Sequence, residues 1–271
     1  MKGFSWLLRL CGTLLVLQSL PLSAAPASEL WPLWQAHDVS STLKPDHGAW
    51  QRMLDRYLVE GASGRLFDYR QVSGQDKALL SDYLKQMAAL DPRLLNREQQ
   101  FAYWVNLYNA LTVDLILQHY PIESIRSLGE GWLSFGPWDD EVIRVQGQAL
   151  TLNDIEHRIL RPVWQDPRIH YIVNCASLGC PDLARDALDG TNNETQLELA
   201  ARRFINQDKG LQSGGSSLRL SSIYDWYAVD FGDAAGLVAH LKQYAEPERQ
   251  RWLEGNPSFS FGYDWQLNEV K

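Results

Sequence analysis

Through the first half of the chain, apolar residues recur at three- and four-residue steps, the spacing of helices that turn one face to a core. His47 to Leu58 and Gln75 to Leu90 follow it, and Leu66 to Val72 between them reads as a short strand. The strongest helix runs from Arg97 to about His119. Its Phe101, Trp104, Tyr108, Leu111 and Leu115 put one side in the core. Asn96 caps its start, with Gln99 in the N3 position of a capping box, and Pro121 ends it.

The pattern changes after a Gly- and Trp-rich loop, Gly129 to Asp140. Val142 to Val145 and Ala149 to Leu152 read as a hairpin turning at Gln146-Gly147. Thr151 caps a helix from Leu152 to Arg161, with Asp154 favourable in its first turn. Ile169 to Val173, bounded by Asp-Pro and by a Gly-Cys-Pro turn, reads as a short buried strand. Asn193 to Gln207 and Ala234 to Tyr244 read as helices. Ser217 to Phe231 mixes strand-like and aromatic segments, and Phe259 to Leu267 is a final strand. The fold class is α+β: a helical N-terminal half packed on a small, mostly antiparallel sheet.

No repeat or low-complexity tract interrupts this order. Residues 1–27 read as a signal peptide: Lys2 and Arg9 give a positive start, Leu10 to Leu20 a short apolar stretch, and Ala25-Pro26-Ala27 an A-x-A-type end, with Ala24 an alternative. That stretch is too short to span a bilayer comfortably, so no transmembrane anchor is expected after processing, and 28–271 is expected as one domain in the periplasm or outside the cell. Cys11 lies early in the leader, beside Arg9, and is not a lipid-attachment cysteine. Setting aside Lys2 and Arg9 lowers the basic count of 25 by two against 33 acidic residues, a net charge of about −10. Such an acidic balance argues against nucleic acid and against anionic membrane surfaces.

The run DPRIHYIVNCASLGCP, Asp166 to Pro181, holds the only two cysteines beyond the leader. A thiol becomes a strong nucleophile once ionised by an imidazole, a cation or a helix N-terminus. Cys175 and Cys180 are therefore a reactive thiol, a pair that opens and closes with redox state, a resting disulfide or inert buried sulfur. Their C-x4-C spacing is not the C-x-x-C redox spacing. His170 is the obvious base, yet strand alternation puts Arg168, His170, Ile172 and Asn174 on one face and Cys175 on the other. Cys180, after the loop doubles back, meets His170 more easily.

Asp154, Glu156 and His157 form a second cluster; the Glu156 and His157 side chains point about 100° apart on a helix, so one of them orients or acts as a base. Asn106 and Asn109 share a face of the long helix, and either bind a substrate carbonyl, supply an oxyanion donor or tie a neighbouring loop. Trp138 with Asp139 and Asp140, and Tyr224 to Tyr227, suit an aromatic-lined cleft or a Trp-rich core. HExxH, zinc-ligand spacings, P-loops, Rossmann glycines and nucleophilic-serine motifs are absent from the sequence, so no metal and no cofactor is expected.

FAYWVNLYNALTVDLIL (Phe101 to Leu117), LNDIEHRILRP (Leu152 to Pro162), DPRIHYIVNCASLGCP and FGYDWQLN (Phe261 to Asn268) together resemble the family catalogued as domain of unknown function 547. The resemblance covers roughly residues 90 to 190 and the tail, and implies an exported bacterial member. A looser analogy links the Cys, His and Asn/Glu set to papain- and transglutaminase-like enzymes, which instead place their cysteine at a helix N-terminus.

The residues support an exported cysteine-dependent hydrolase or transferase acting on an amide, a peptide or a thiol-bearing small molecule. Cys175 attacks, His170 or His157 takes the proton, Glu156 orients the imidazole and Asn106 stabilises the oxyanion, with Cys180, Asn109 and Arg168 in support. The alternative is a non-catalytic binding module whose cysteines form a disulfide or clasp a thiol ligand such as glutathione.

Overall fold

The computed structural model describes residues 26–62, 64–129, 136–214, 217–255 and 257–271. Residues 1–25 of the expected leader, Cys11 among them, and 130–135 of the Gly- and Trp-rich loop lie outside the described residues.

The elements follow in order. First come α1 (Gly48–Tyr57), β1 (Leu58–Gly61), β2 (Gly64–Phe67), α2 (Gly74–Ala89) and α3 (Arg97–His119). Then come β3 (Ile143–Val145), β4 (Gln148–Leu150), a π-helical stretch Asp154–Leu160, α4 (Arg161–Trp164) and α5 (Ile169–Ile172). The chain closes with α6 (Asn193–Ile205), β5 (Leu211–Ser213), β6 (Leu218–Ser221), α7 (Ile223–Trp226), α8 (Ala228–Phe231), α9 (Ala234–Tyr244), α10 (Pro247–Trp252) and β7 (Phe259–Gly262).

The class is α+β, but the strands form three small sheets. β1–β2, β3–β4 and β5–β6 are antiparallel pairs, and β7 joins β6 in parallel. The β3–β4 hairpin turns at Gln146-Gly147, both with positive φ (49° and 78°), a geometry that favours glycine at the second position. Of the strand expected at Leu66 to Val72, only the start lies in β2, and Tyr69–Gln71 is a 3₁₀ turn.

Helix α3 is the axis of the larger core. Its cap is as expected: the Gln99 N–H donates to Asn96 Oδ1 at 2.9 Å. Gln99 returns no bond to Asn96; its Nε2 donates instead to the Asp189 carbonyl at 2.6 Å. The helix is also buried on more than one side, without a break from Gln99 to Val113. α2 packs on one flank, the π-helical stretch and α6 on others, so the side carrying Asn106, Asn109 and Thr112 is enclosed, and so is Gln100 on the opposite side. Trp34, Tyr103 and Trp104 interlock edge-on inside this core. Each large side chain so enclosed contributes roughly 2 kcal/mol or more. A second core gathers Tyr171, Phe204, Tyr224, Phe231 and Leu241 beneath α9.

Two local features place the site. The helix after Thr151 begins as expected, with the Asp154 N–H on Thr151 Oγ1 at 3.0 Å. It then widens over Asp154–Leu160, and Pro162 beyond it has no N–H to return to the carbonyls of Arg158 or His157. Those two carbonyls are filled from far away, by the N–H groups of Trp31 (2.9 Å) and Glu29 (3.0 Å).

The second feature corrects the strand expected at Ile169 to Val173, which is helical from Ile169 to Ile172. Asp166 accepts the Arg168 N–H on Oδ1 at 2.8 Å, and its carbonyl accepts the Ile169 N–H. The Asp-Pro pair therefore starts a helical turn, with Asp166 capping. Burial against α6 outweighs the β-branched composition. Alternation of side chains no longer applies to His170 and Cys175.

Candidate functional site

The cysteine loop is drawn tight by asparagines. The Asn174 N–H donates to Asn109 Oδ1 (2.8 Å), Asn174 Nδ2 to the Pro181 carbonyl (2.6 Å), and the Ala176 N–H to Asn174 Oδ1 (2.8 Å). Ala176 is forced into the left-handed region at φ 59° while fully buried. That conformation costs a non-glycine residue of order 1 kcal/mol and is characteristic of functional loops. The loop doubles back so that the Cys175 N–H points at Cys180 Sγ (2.8 Å), and the two sulfurs stand 2.7 Å apart as free thiols.

The chain after β7 lies along this loop. The Leu178 N–H donates to the Gln266 carbonyl, the Gly179 N–H to the Asp264 carbonyl and the Asn268 N–H to the Ala176 carbonyl, at 2.8 to 3.1 Å. Only glycine fits at 179, since a Cβ there would meet the Asp264 backbone at 2.7 Å. This pairing sets Tyr263 Oη 2.9 Å from Cys175 Sγ, with Ser177 Oγ 3.3 Å from the same sulfur and 3.0 Å from Tyr263.

The sulfurs are unlike. Cys175 is partly exposed and Cys180 buried. Burial pushes the Cys175 thiol up, but hydrogen bonds from Cys180, Ser177 and Tyr263 outweigh it and hold Cys175 below the usual thiol range. Burial and the adjacent Cys175 charge push Cys180 well up. Tyr263 is likewise raised, by burial and then by the charge on Cys175, so its hydroxyl keeps its proton and donates. Behind the loop, Lys209 Nζ donates to the Cys180 carbonyl and to Asp182 Oδ1, both at 2.6 Å.

A second polar cluster contains the expected bases. His170 Nε2 lies 2.7 Å from Asp230 Oδ2, and its Nδ1 faces Glu156 Oε1 at 3.6 Å without a hydrogen bond. Its ring stacks on Tyr227 at 4.1 Å. Tyr108 Oη donates to Glu156 Oε2 at 3.0 Å, and Arg161 bridges Asp230 Oδ2 (2.6 Å) and His157 Nδ1 (3.1 Å). Burial lowers His157 to about 4, so it stays neutral and accepts from Arg161. Burial alone would raise Glu156, but the two imidazoles and Tyr108 hold it below the usual carboxylate range. Asp230 is held down in the same way by His170 and Arg161 against its burial.

The structure thus divides the expected set in two. Cys175 and Cys180 sit together, and Glu156, His157 and His170 sit together, but Cys175 hydrogen-bonds to no imidazole among the described residues. Asn106 spends its amide on Leu188, donating to the carbonyl (2.7 Å) and accepting the N–H (3.1 Å). Asn109 likewise ties the Ile172 carbonyl (3.0 Å) and the Asn174 N–H. Both amides tie loops to α3. Arg168 is clamped between Asp166 and Glu194 at 2.6 to 3.1 Å. Among the described residues, no group of three or more His, Cys, Asp or Glu is arranged to hold a metal ion, and no helix is long and apolar enough to cross a membrane.

Tyr263, Ser177 and Asp230 escaped sequence reasoning, while Tyr108 was read as core and Tyr227 as part of an aromatic cleft or core. Ser177 lies inside the cysteine run and Tyr263 inside the motif FGYDWQLN, the signal that pointed to it. Asp230 has no local signal, because its partner is 60 residues away.

No curated protein and no solved structure matches the chain. One family does, over residues 92–205, which take in α3, the Glu156–His170 cluster and both cysteines. Over those residues the chain matches the family described as protein of unknown function, DUF547.

Proposed function

We propose that the chain is a thiol-dependent enzyme in which Cys175 and Cys180 exchange with, and reduce, the disulfide of a thiol-bearing molecule or peptide. The observation that carries this reading is the pairing of two free sulfurs, 2.7 Å apart, that differ in exposure and ionisation. The Cys175 thiolate attacks one sulfur of the substrate disulfide, whose S–S bond breaks and releases a thiolate that takes a proton from solvent. Cys180 then loses its proton and attacks Cys175 Sγ. The second substrate sulfur leaves as a thiol, and two electrons have passed from the cysteine pair to the substrate. A dithiol donor restores the pair. The signal-peptide pattern of residues 1–27 supports a site of action outside the cytoplasm.

The test is trapping. Cys180→Ser treated with oxidised glutathione is expected to accumulate a mixed disulfide on Cys175, visible by mass spectrometry, whereas the wild-type chain passes through to the Cys175–Cys180 bond. Cys175→Ser is expected to form no adduct. A wild-type chain that binds glutathione without covalent change favours the non-catalytic binding module instead.

A further inference from the structure

Beside Cys175 stands a group of aromatic rings that the exchange chemistry does not itself use. Tyr263 packs against Trp226 (centroids 4.8 Å apart) and Trp265 (4.5 Å). Trp226 and Trp265 stack on each other at 5.6 Å, and Trp138 meets Trp265 edge-on at 5.7 Å. All four rings are partly exposed. They come from three places in the chain, the 136–140 turn, α7 and the tail, and converge where the reactive sulfur reaches the surface. Large rings half-exposed around a reactive group are what a recognition surface needs, because they offer contact area at little entropic cost.

Two further features select the occupant. Each ring-bearing segment carries an exposed carboxylate at the neighbouring position in the chain: Asp139 after Trp138, Asp225 before Trp226, and Asp264 between Tyr263 and Trp265. The rings also hold a guanidinium already, since Arg126 lies over Trp265 at 5.2 Å. Electron-rich faces flanked by carboxylates attract cations and repel anions.

We infer that this ring cluster seats a basic polypeptide segment, whose arginine or lysine side chains lie against the edges and faces that Trp138, Trp226 and Trp265 leave to solvent while its cysteine is presented to Cys175. The inference rests on the exchange reading for its last step, but the seating itself does not depend on thiol chemistry.

Binding is therefore measured without a reactive sulfur. Three peptides of equal length, with serine in place of cysteine and flanked by arginines, by glutamines or by glutamates, are titrated into the full chain and followed by tryptophan fluorescence. The arginine peptide is expected to bind at least about tenfold more tightly than the glutamate peptide, with the gap narrowing as salt is raised. Trp226→Ala with Trp265→Ala, and separately Asp225→Asn with Asp264→Asn, are expected to narrow it too. Equal binding of the three, or none, overturns the seating. If only the glutamine peptide binds, the surface is aromatic without charge selection, and the basic partner is overturned. Cysteine-containing peptide disulfides then separate the two proposals: seating without adduct on Cys180→Ser sinks the exchange reading alone, while adduct formation indifferent to flanking charge sinks the partner alone.

Discussion

The hydroxyl of Tyr263 donates to the sulfur of Cys175 across 2.9 Å, joining residues 88 positions apart. It is one of three hydrogen bonds, with those of Cys180 and Ser177, that outweigh burial at this thiol. Removing it with Tyr263→Phe should raise the Cys175 pKa and slow its labelling at neutral pH. Iodoacetamide labelling against pH checks this. An unshifted profile would mean that the hydroxyl does not set the ionisation of the thiol.

Gly179→Ala places a methyl group against the Asp264 backbone, at 2.7 Å from its nitrogen and 2.9 Å from its oxygen. Backbone cannot swing aside, so the tail must move off the loop. The expected cost is ~1–3 kcal/mol in urea denaturation, together with a Cys175 labelling profile like that of Tyr263→Phe. Full stability with normal labelling would show that the tail and loop are not held as tightly as their hydrogen bonds imply.

Asn109→Ala strands the Asn174 N–H and the Ile172 carbonyl inside the protein. Each group left unpaired costs ~1–3 kcal/mol. Asn109→Asp keeps the acceptor for Asn174 but not the donor for Ile172, so its loss should be intermediate in urea denaturation. Equal losses for the two variants would contradict this division.

Acid should weaken the fold. His47 and His157 are each lowered by burial, from 6.5 to about 4. Between those values the unfolded imidazoles hold protons that the folded ones do not, so stability is complete above pH 6.5 and falls as pH drops towards 4. Thermal melts across this range should show Tm falling, and His47→Gln, in a core position beside Tyr83, should flatten the slope. A constant Tm from pH 7 to 4.5 would contradict the assignment of neutral buried imidazoles.

What could be read from the sequence depended on the range of the interaction that fixed it. The caps at Asn96 and Thr151 and the Gln146-Gly147 turn are local, and each stands in the structure. At Ile169 to Val173 two local signals competed: β-branched composition favoured a strand, while Asp166-Pro167 favoured a helical start, and packing on α6 decided for the helix. Asn106 and Asn109 were legible as polar residues on an aromatic helix. Their partners, Leu188 in one case and Ile172 and Asn174 in the other, could be known only once the chain had folded back. Both cysteines were visible, whereas the tyrosine that tunes one of them arrives from the far end of the chain.

The widened turn at Asp154–Leu160 makes a distant stretch of backbone responsible for the shape of the polar cluster. The amides of Glu29 and Trp31 donate to the His157 and Arg158 carbonyls and so act as rungs of that helix. Peeling away this short splice would lay bare both oxygens beside Glu156 and His157. Truncation or fusion near residue 30 would therefore register at the imidazoles, more than a hundred positions along the chain.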